Sequence, residues 1–246
     1  MDYSLITNKV SSNKFINKTN IMILVIIILI SIAVYYLTKS GITHNKIDRN
    51  VLHLTDDFGL AYSANLMPKS KTGIKYTFSF WIYINNVPGN AHWKQDFTRP
   101  KGVLAHSHAP TVYYLANLGI LQISMGFKDN NNVLETYKFD LNSVKLQKWE
   151  NIVIVADGSF VEIYLNGQFH KAMDLGNIHF ISNKMLYVGQ PNNNFNGYLA
   201  YIEYFNDALK EKDIAKLYRK NKIRNVFSRK LENYSEYHYK KYSENK

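Results

Sequence analysis

The chain of 246 residues contains no cysteine. Disulfides, thiolate metal centres and a thiol nucleophile are excluded, and any domain must hold together on its hydrophobic core. The compartment stays open, because an extracellular β domain of this size buries enough apolar surface to fold without covalent staples. Charge of one sign is also missing where a nucleic-acid surface would need it. The formal charge is +11, but it divides into +4 over residues 1–50, +1 over 51–206 and +6 over 207–246. The stretch with domain-like patterning is nearly neutral, so no basic groove crosses it and nucleic acid is not an expected partner. The basic C-terminal tail reads either as a solvated polar segment or as a contact for anionic headgroups.

Polar interruptions are lacking in one place, Ile21 to Leu37, which reads IMILVIIILISIAVYYL with only Ser31 breaking it before Tyr35 and Tyr36. Seventeen helical residues span about 25 Å, the short end of what a bilayer core requires. Lys18 and Lys39 flank the run and can snorkel outward, and the tyrosines suit an interface. A spanning helix over 21–38 is therefore expected, with the lipid bilayer as partner. A cleaved secretory signal fits less well, since Thr38, Lys39 and Ser40 make a poor small-x-small site. A buried core helix would need polar positions at helical spacing. Lys9, Lys14 and Lys18 on one side balance Lys39, Lys46 and Arg49 on the other, so charge does not set orientation. Sequons at Asn17–Thr19 and Asn233–Ser235 fall on opposite sides of the helix, and glycosylation at one would settle it.

Residues 1–20 read as a polar N-terminal segment and 39–53 as a linker. From about 54 to 220 the pattern turns to short alternating runs between turn residues, as in an all-β domain. The clearest run is Ile74 to Ile84, with Ile74, Tyr76, Phe78, Phe80, Ile82 and Ile84 on the face that must be core. Asp157-Gly158 and Asn166-Gly167 carry the chemistry of two-residue hairpin turns and predict three consecutive antiparallel strands. Ile214, Leu217 and Tyr218 have the spacing of a short helix, about Lys210 to Lys220, packed by one face. Residues 221–246 form a basic, Tyr-rich tail expected to be flexible.

Five motifs follow one another in this stretch: Phe78-Ser79-Phe80-Trp81-Ile82-Tyr83, Trp149-Glu150-Asn151-Ile152-Val153, Ile163-Tyr164-Leu165-Asn166-Gly167, Leu186-Tyr187-Val188-Gly189, and Phe195-Asn196-Gly197-Tyr198-Leu199-Ala200. Their order resembles the concanavalin A-like lectin/glucanase superfamily, in its laminin G-like branch, over roughly Phe58 to Lys220. The resemblance implies a jelly-roll sandwich of two antiparallel sheets. Ligands in such a fold lie on the concave face or at loops along one rim, and it hosts lectins, glycosidases and adhesion modules alike. Similar membrane-anchored proteins of AT-biased composition occur in large DNA viruses. That resemblance favours an N-terminus in the cytosol and a C-terminal domain that is extracytosolic or on a virion surface.

Retaining glycanases of the superfamily carry a Glu-x-Asp-x-x-Glu-type strand, which supplies two carboxylates about 5 Å apart. This sequence has none: Glu162 is isolated and Glu203 has only Asp207 nearby, so no enzyme is expected. Relatives often hold Ca²⁺ at the rim. Asp96, Asp129 with Asn130 to Asn132, and Asn192 to Asn194 are the candidates here, although Asn and Asp are also ordinary turn formers. No cofactor is expected, with calcium the alternative. His106 and His108 share a strand face but lack a third ligand, so no zinc site is expected. A sugar needs an aromatic platform and amides. The candidates are Trp93 with His92 and Asp96, joined by Asn130 and Asn193, while Trp81 and Trp149 read as packing residues and Tyr83 as a possible lining of a sheet face. The sequence thus describes a single-pass membrane protein displaying a non-catalytic module for glycans or glycoproteins. The alternative is a structural, virion-type membrane protein that uses the sandwich as a protein interaction platform.

Overall fold

A computed structural model of the chain describes residues 18–39, 43–54, 58–85 and 99–221. The chain forms two separate units that divide between residues 41 and 42. The first holds helix α1, Lys18–Lys39, of 22 residues. Its described side chains, Ile21–Ile32 and Val34, are all exposed. The Ser31 hydroxyl donates to the Ile27 carbonyl one turn back at 2.8 Å. Among the described residues, no helix is long and apolar enough to cross a membrane.

The second unit is an all-β sandwich of two six-stranded antiparallel sheets with a short C-terminal helix. One sheet, order β1-β12-β3-β8-β9-β10, is built from His44–Leu54, Gly197–Phe205, Lys75–Ile84, Glu150–Asp157, Phe160–Leu165 and Gln168–Asp174. The other, order β2-β11-β4-β5-β6-β7, is built from Leu60–Tyr62, Leu186–Val188, Lys101–Ala105, Thr111–Leu115, Ile120–Lys128 and Leu134–Leu141. Alternation explains the packing. Tyr76, Phe78, Phe80, Ile82 and Ile84 of β3 meet Val112, Tyr114, Leu121, Ile123 and Met125 of β5 and β6 in one core. Both expected hairpins form, with positive φ at Gly158, Asn166 and Gly167 where an L side chain is disfavoured.

Two features depart from the sequence reading. Strand β1 occupies most of the segment read as a linker and pairs with β12 from His44↔Phe205 to Leu54↔Gly197. Its register shifts twice, between Lys46 and Asp48 and between Asp48 and Val51, so the period-two signal is broken. Strand β3 is buried on both faces: Thr77, Ser79 and Trp81 are covered as well as the core set. The cover is helix α2, Glu211–Asn221, with the segment before it. Ile214 packs on Val153, Val155 and Tyr164, and the Tyr218 ring stacks on Trp81 at 5.5 Å.

The strands run between two ends of the sandwich. At one lie His44, the start of β3, the Asp157–Phe160 hairpin and the end of β10. The end of β6 and the start of β7 join them, because the Phe180 amide donates to the Gly126 carbonyl and the His179 amide to the Gly158 carbonyl. At the far end lie Asn85, Pro100, Leu118, Trp149 and the 190–196 turn.

Candidate functional site

With α2 on the first sheet, the outer face of the second is the broad sheet face that no described element covers. The strand pattern fixes what it presents. Val112 and Tyr114 point into the core, so Tyr113 points out; Leu186 and Val188 point in, so Tyr187 points out and is 51% exposed. Strand β4 runs between them with Ala105 opposite Tyr187 and Gly102 opposite Tyr113. Two tyrosines thus wall a trough with a floor of small residues, about two strand spacings or roughly 10 Å wide. The resulting cavity of about 270 Å³ ends against Gly189, Gln190 and Pro191. Gly102 is needed there, since a Cβ at that position would sit 2.6 Å from the Gln190 Cβ.

Polar groups surround the trough. The Gln190 Oε1 accepts from the Asn193 amide nitrogen at 3.2 Å, which also donates to the Pro100 carbonyl at 2.7 Å. Asn193 Oδ1 in turn accepts from the Lys101 ammonium at 3.2 Å. Further along the same face, the Gln122 amide donates to Asp140 at 2.9 Å. The arrangement offers two aromatic faces and a held set of amides, which suits a ligand with one apolar face and a rim of hydroxyls.

The residues singled out in the sequence are dispersed. His92, Trp93 and Asp96 lie outside the described residues. Asn193 stands at the trough's end, at the far end of the sandwich, whereas Asn130 is exposed at the tip of the β6–β7 hairpin at the His44 end. The nine residues of β6 separate the two by about 30 Å. Asp129 closes that hairpin: its carboxylate accepts from the Asn131 amide at 2.9 Å and the Val133 amide at 2.7 Å. Asn194 is buried and ties the turn down, accepting from the Gln190 amide and donating to the Phe58 carbonyl. His106 is buried between the Ala109 and Lys184 carbonyls, each 3.0 Å from a ring nitrogen, and burial pushes its pKa down. Trp81 is buried under Tyr218, and Trp149 leans on Tyr83 and Tyr198 with ring centroids 5.5 and 6.4 Å away.

The sequence profile of the concanavalin A-like lectin/glucanases superfamily matches residues 60–215. The chain belongs to that superfamily. Solved structures share its fold. The receptor binding domain of botulinum neurotoxin D aligns at a TM-score of 0.50 and 15% identity, covering 75% of this chain and 49% of that one. The botulinum neurotoxin serotype D binding domain aligns at 0.50 and 16%, covering 75% and 47%. At such identity the likeness concerns the fold alone, and this chain spans about half the length of those structures. No curated protein matches the chain.

A superfamily glycosidase needs two carboxylates within about 5 to 9.5 Å. Glu162 and Glu203 share the outer face of the first sheet, but β3 and β8 stand between their strands, which sets them at least about 14 Å apart. Each is engaged: Glu162 accepts from the Tyr164 hydroxyl at 2.7 Å, and Glu203 from the Asn221 amide at 2.9 Å, with His44 at 3.3 Å. Asp207 accepts from the Ala208 amide. On the second sheet's outer face, Asp140 is the one carboxylate among the described strand residues.

Tyr113, Tyr187 and Gln190 went unnoticed in the sequence. Their outward parity is readable, since each tyrosine sits between two core residues. What brings them together is the order β11-β4-β5, which no local pattern encodes.

Proposed function

We propose that this protein is a membrane-tethered, non-catalytic binding module whose glycan or glycoprotein ligand lies in the trough between Tyr113 and Tyr187. The observation that carries the reading is that trough: two outward aromatic rings over Gly102 and Ala105, closed by the Gln190–Asn193 amides, on the uncovered sheet face. The spacing of Glu162 and Glu203 argues against glycoside hydrolysis, and the botulinum neurotoxin D receptor binding domain, which shares this fold, is in keeping with a module that holds rather than cuts. No carboxylate lines the trough, so a metal is not expected there and chelators should leave binding unchanged.

The tether in this reading is α1. Its 22 residues span about 33 Å, against a bilayer core of about 30 Å. No helix of the described residues is by itself both long and apolar enough to cross, so the tether is argued from the uncharged sequence run Ile21 to Leu37. Isoleucine-rich side chains exposed all round such a helix are stable in hydrocarbon and not in water. Ser31 satisfies its hydroxyl within the helix, as a polar side chain in lipid must. The sandwich then stands outside the cytosol or on a virion surface, where glycans are met.

The test is a glycan array probed with the full chain in detergent micelles. Tyr187→Ala and Tyr113→Ala are each expected to weaken the best signal about five- to tenfold, the scale of one lost aromatic contact. Silence toward every sugar, with firm capture of a protein partner through the same face, would replace the lectin reading by the interaction-platform one.

A further inference from the structure

The outward face goes on past Tyr113. Leu121 and Ile123 of β6 and Phe139 and Leu141 of β7 lie in the core, so Gln122 and Asp140 point out on the face that carries the trough. Register sets them in one row, with Tyr113 opposite Gln122 and Gln122 opposite Asp140. The Gln122 side-chain amide donates to one Asp140 oxygen at 2.9 Å. That bond fixes both side chains and leaves the second Asp140 oxygen and the Gln122 carbonyl oxygen as acceptors that no described residue fills. Aspartate is rare in strands, and here its carboxylate stands exposed on one.

Walls bound this face along the strands. At the far end it stops against Gln190 and Pro191. Toward the other end the 106–110 loop lies over β6: the Gly126 amide donates to the His108 carbonyl at 2.7 Å, and a Cβ at Gly126 would sit 2.9 Å from the His108 Cβ. From Gln122 to Gly126 is roughly 13 Å of strand. Across the strands the face runs on, with Ala61 of β2 opposite Tyr187 at one side and β7 as the last strand at the other. From β11 to β7 is about 19 Å, the length of about four linked sugar rings. An elongated ligand in the trough must therefore cross the strands, and its path from Tyr113 leads over Gln122 and Asp140. A neighbouring pair of sugar hydroxyls supplies the donors that the two free oxygens lack, with charge assistance at the carboxylate.

We infer that Gln122 and Asp140 form a second subsite, which makes the ligand a sugar chain laid across β11 to β7: its first rings lie between Tyr187 and Tyr113, and the next ones over β6 and β7. The inference rests on the reading of the trough as a glycan site.

The test measures affinity against chain length. Fluorescently tagged dimers, tetramers and hexamers of glucose, mannose, galactose and N-acetylglucosamine are titrated by anisotropy against the full chain, held in micelles of a detergent without a sugar headgroup. In the series that binds, the tetramer is expected to bind about tenfold more tightly than the dimer, the scale of a hydrogen bond to a charged group, and the hexamer no better than the tetramer. Asp140→Ala and Gln122→Ala are each expected to remove most of that gain, whereas Tyr187→Ala weakens dimer and tetramer alike. Equal affinity for dimer and tetramer, or a gain that survives both Asp140→Ala and Gln122→Ala, overturns the second subsite and leaves the trough. Loss of binding in Asp140→Ala, with Tyr113→Ala and Tyr187→Ala both without effect, supports the pair as a sugar contact and rejects the trough. Failure of every series to bind overturns both.

Discussion

His179 shows how a single side chain ties stability to pH. It is 2% exposed, its Nδ1 lies 2.6 Å from the Gly158 carbonyl, and its Nε2 has no hydrogen-bond partner among the described residues. Burial holds its pKa below the ordinary 6.5. The folded chain therefore keeps the ring neutral while the unfolded chain takes up a proton. Because the unfolded state binds more protons, stability is full above about pH 6.5 and falls as pH drops from there toward the lower folded value. Buried His106 acts in the same direction. His179→Asn keeps a donor for Gly158 without a titration, so its melting temperature is expected to depend less on pH between 7 and 5. Backbone proximity sets a larger effect at Gly197, where a Cβ would lie 2.1 Å from the Tyr83 carbonyl oxygen. Gly197→Ala is expected to cost on the order of 3 kcal/mol in denaturant unfolding. Asp129→Ala, which strips two amides of their acceptor at an exposed turn, costs about 1 kcal/mol.

Among the elements, α2 has the clearest energetic role. Ile214 is 0% exposed against Val153, Val155 and Tyr164, so Ile214→Ala is expected to destabilise the sandwich by roughly 3 kcal/mol. Tyr218→Ala removes the ring stacked on Trp81, and a red shift in tryptophan emission would report the newly wetted indole. The helix was legible because Ile214, Leu217 and Tyr218 repeat at helical spacing, and the central strands because their alternation survives intact. Strand β1 was not, because its two register shifts move core residues out of phase: Ile47, Leu52 and Leu54 are buried while Val51 is only half so. Three-residue β2 is too short to carry a period at all. The double burial of β3 was hidden for another reason. Thr77, Ser79 and Trp81 look like a solvent face until a segment some 130 residues later folds over them, with the Thr77 hydroxyl donating to the Asp207 carbonyl at 2.8 Å. The trough had the same obstacle, since its walls come from β5 and β11.

For the whole molecule, the proposed division of labour is between an apolar helix that tethers and a sandwich that binds. Full-length protein is expected in the detergent-rich phase on temperature-induced partitioning, and protein lacking residues 1–41 in the aqueous phase; recovery of both in the aqueous phase would reject the tether. At the far end, Asn85 and Pro100 both bond to a single turn: the Asn85 amide donates to the Asn196 carbonyl at 3.0 Å, and the Asn193 side-chain amide donates to the Pro100 carbonyl at 2.7 Å. One short turn thus staples the close of β3 in the first sheet to the approach to β4 in the second, and Asn193→Ala is expected to loosen both edges together, seen as faster amide exchange at Asn85 and at Gly102, whose amide donates to the Asn193 carbonyl.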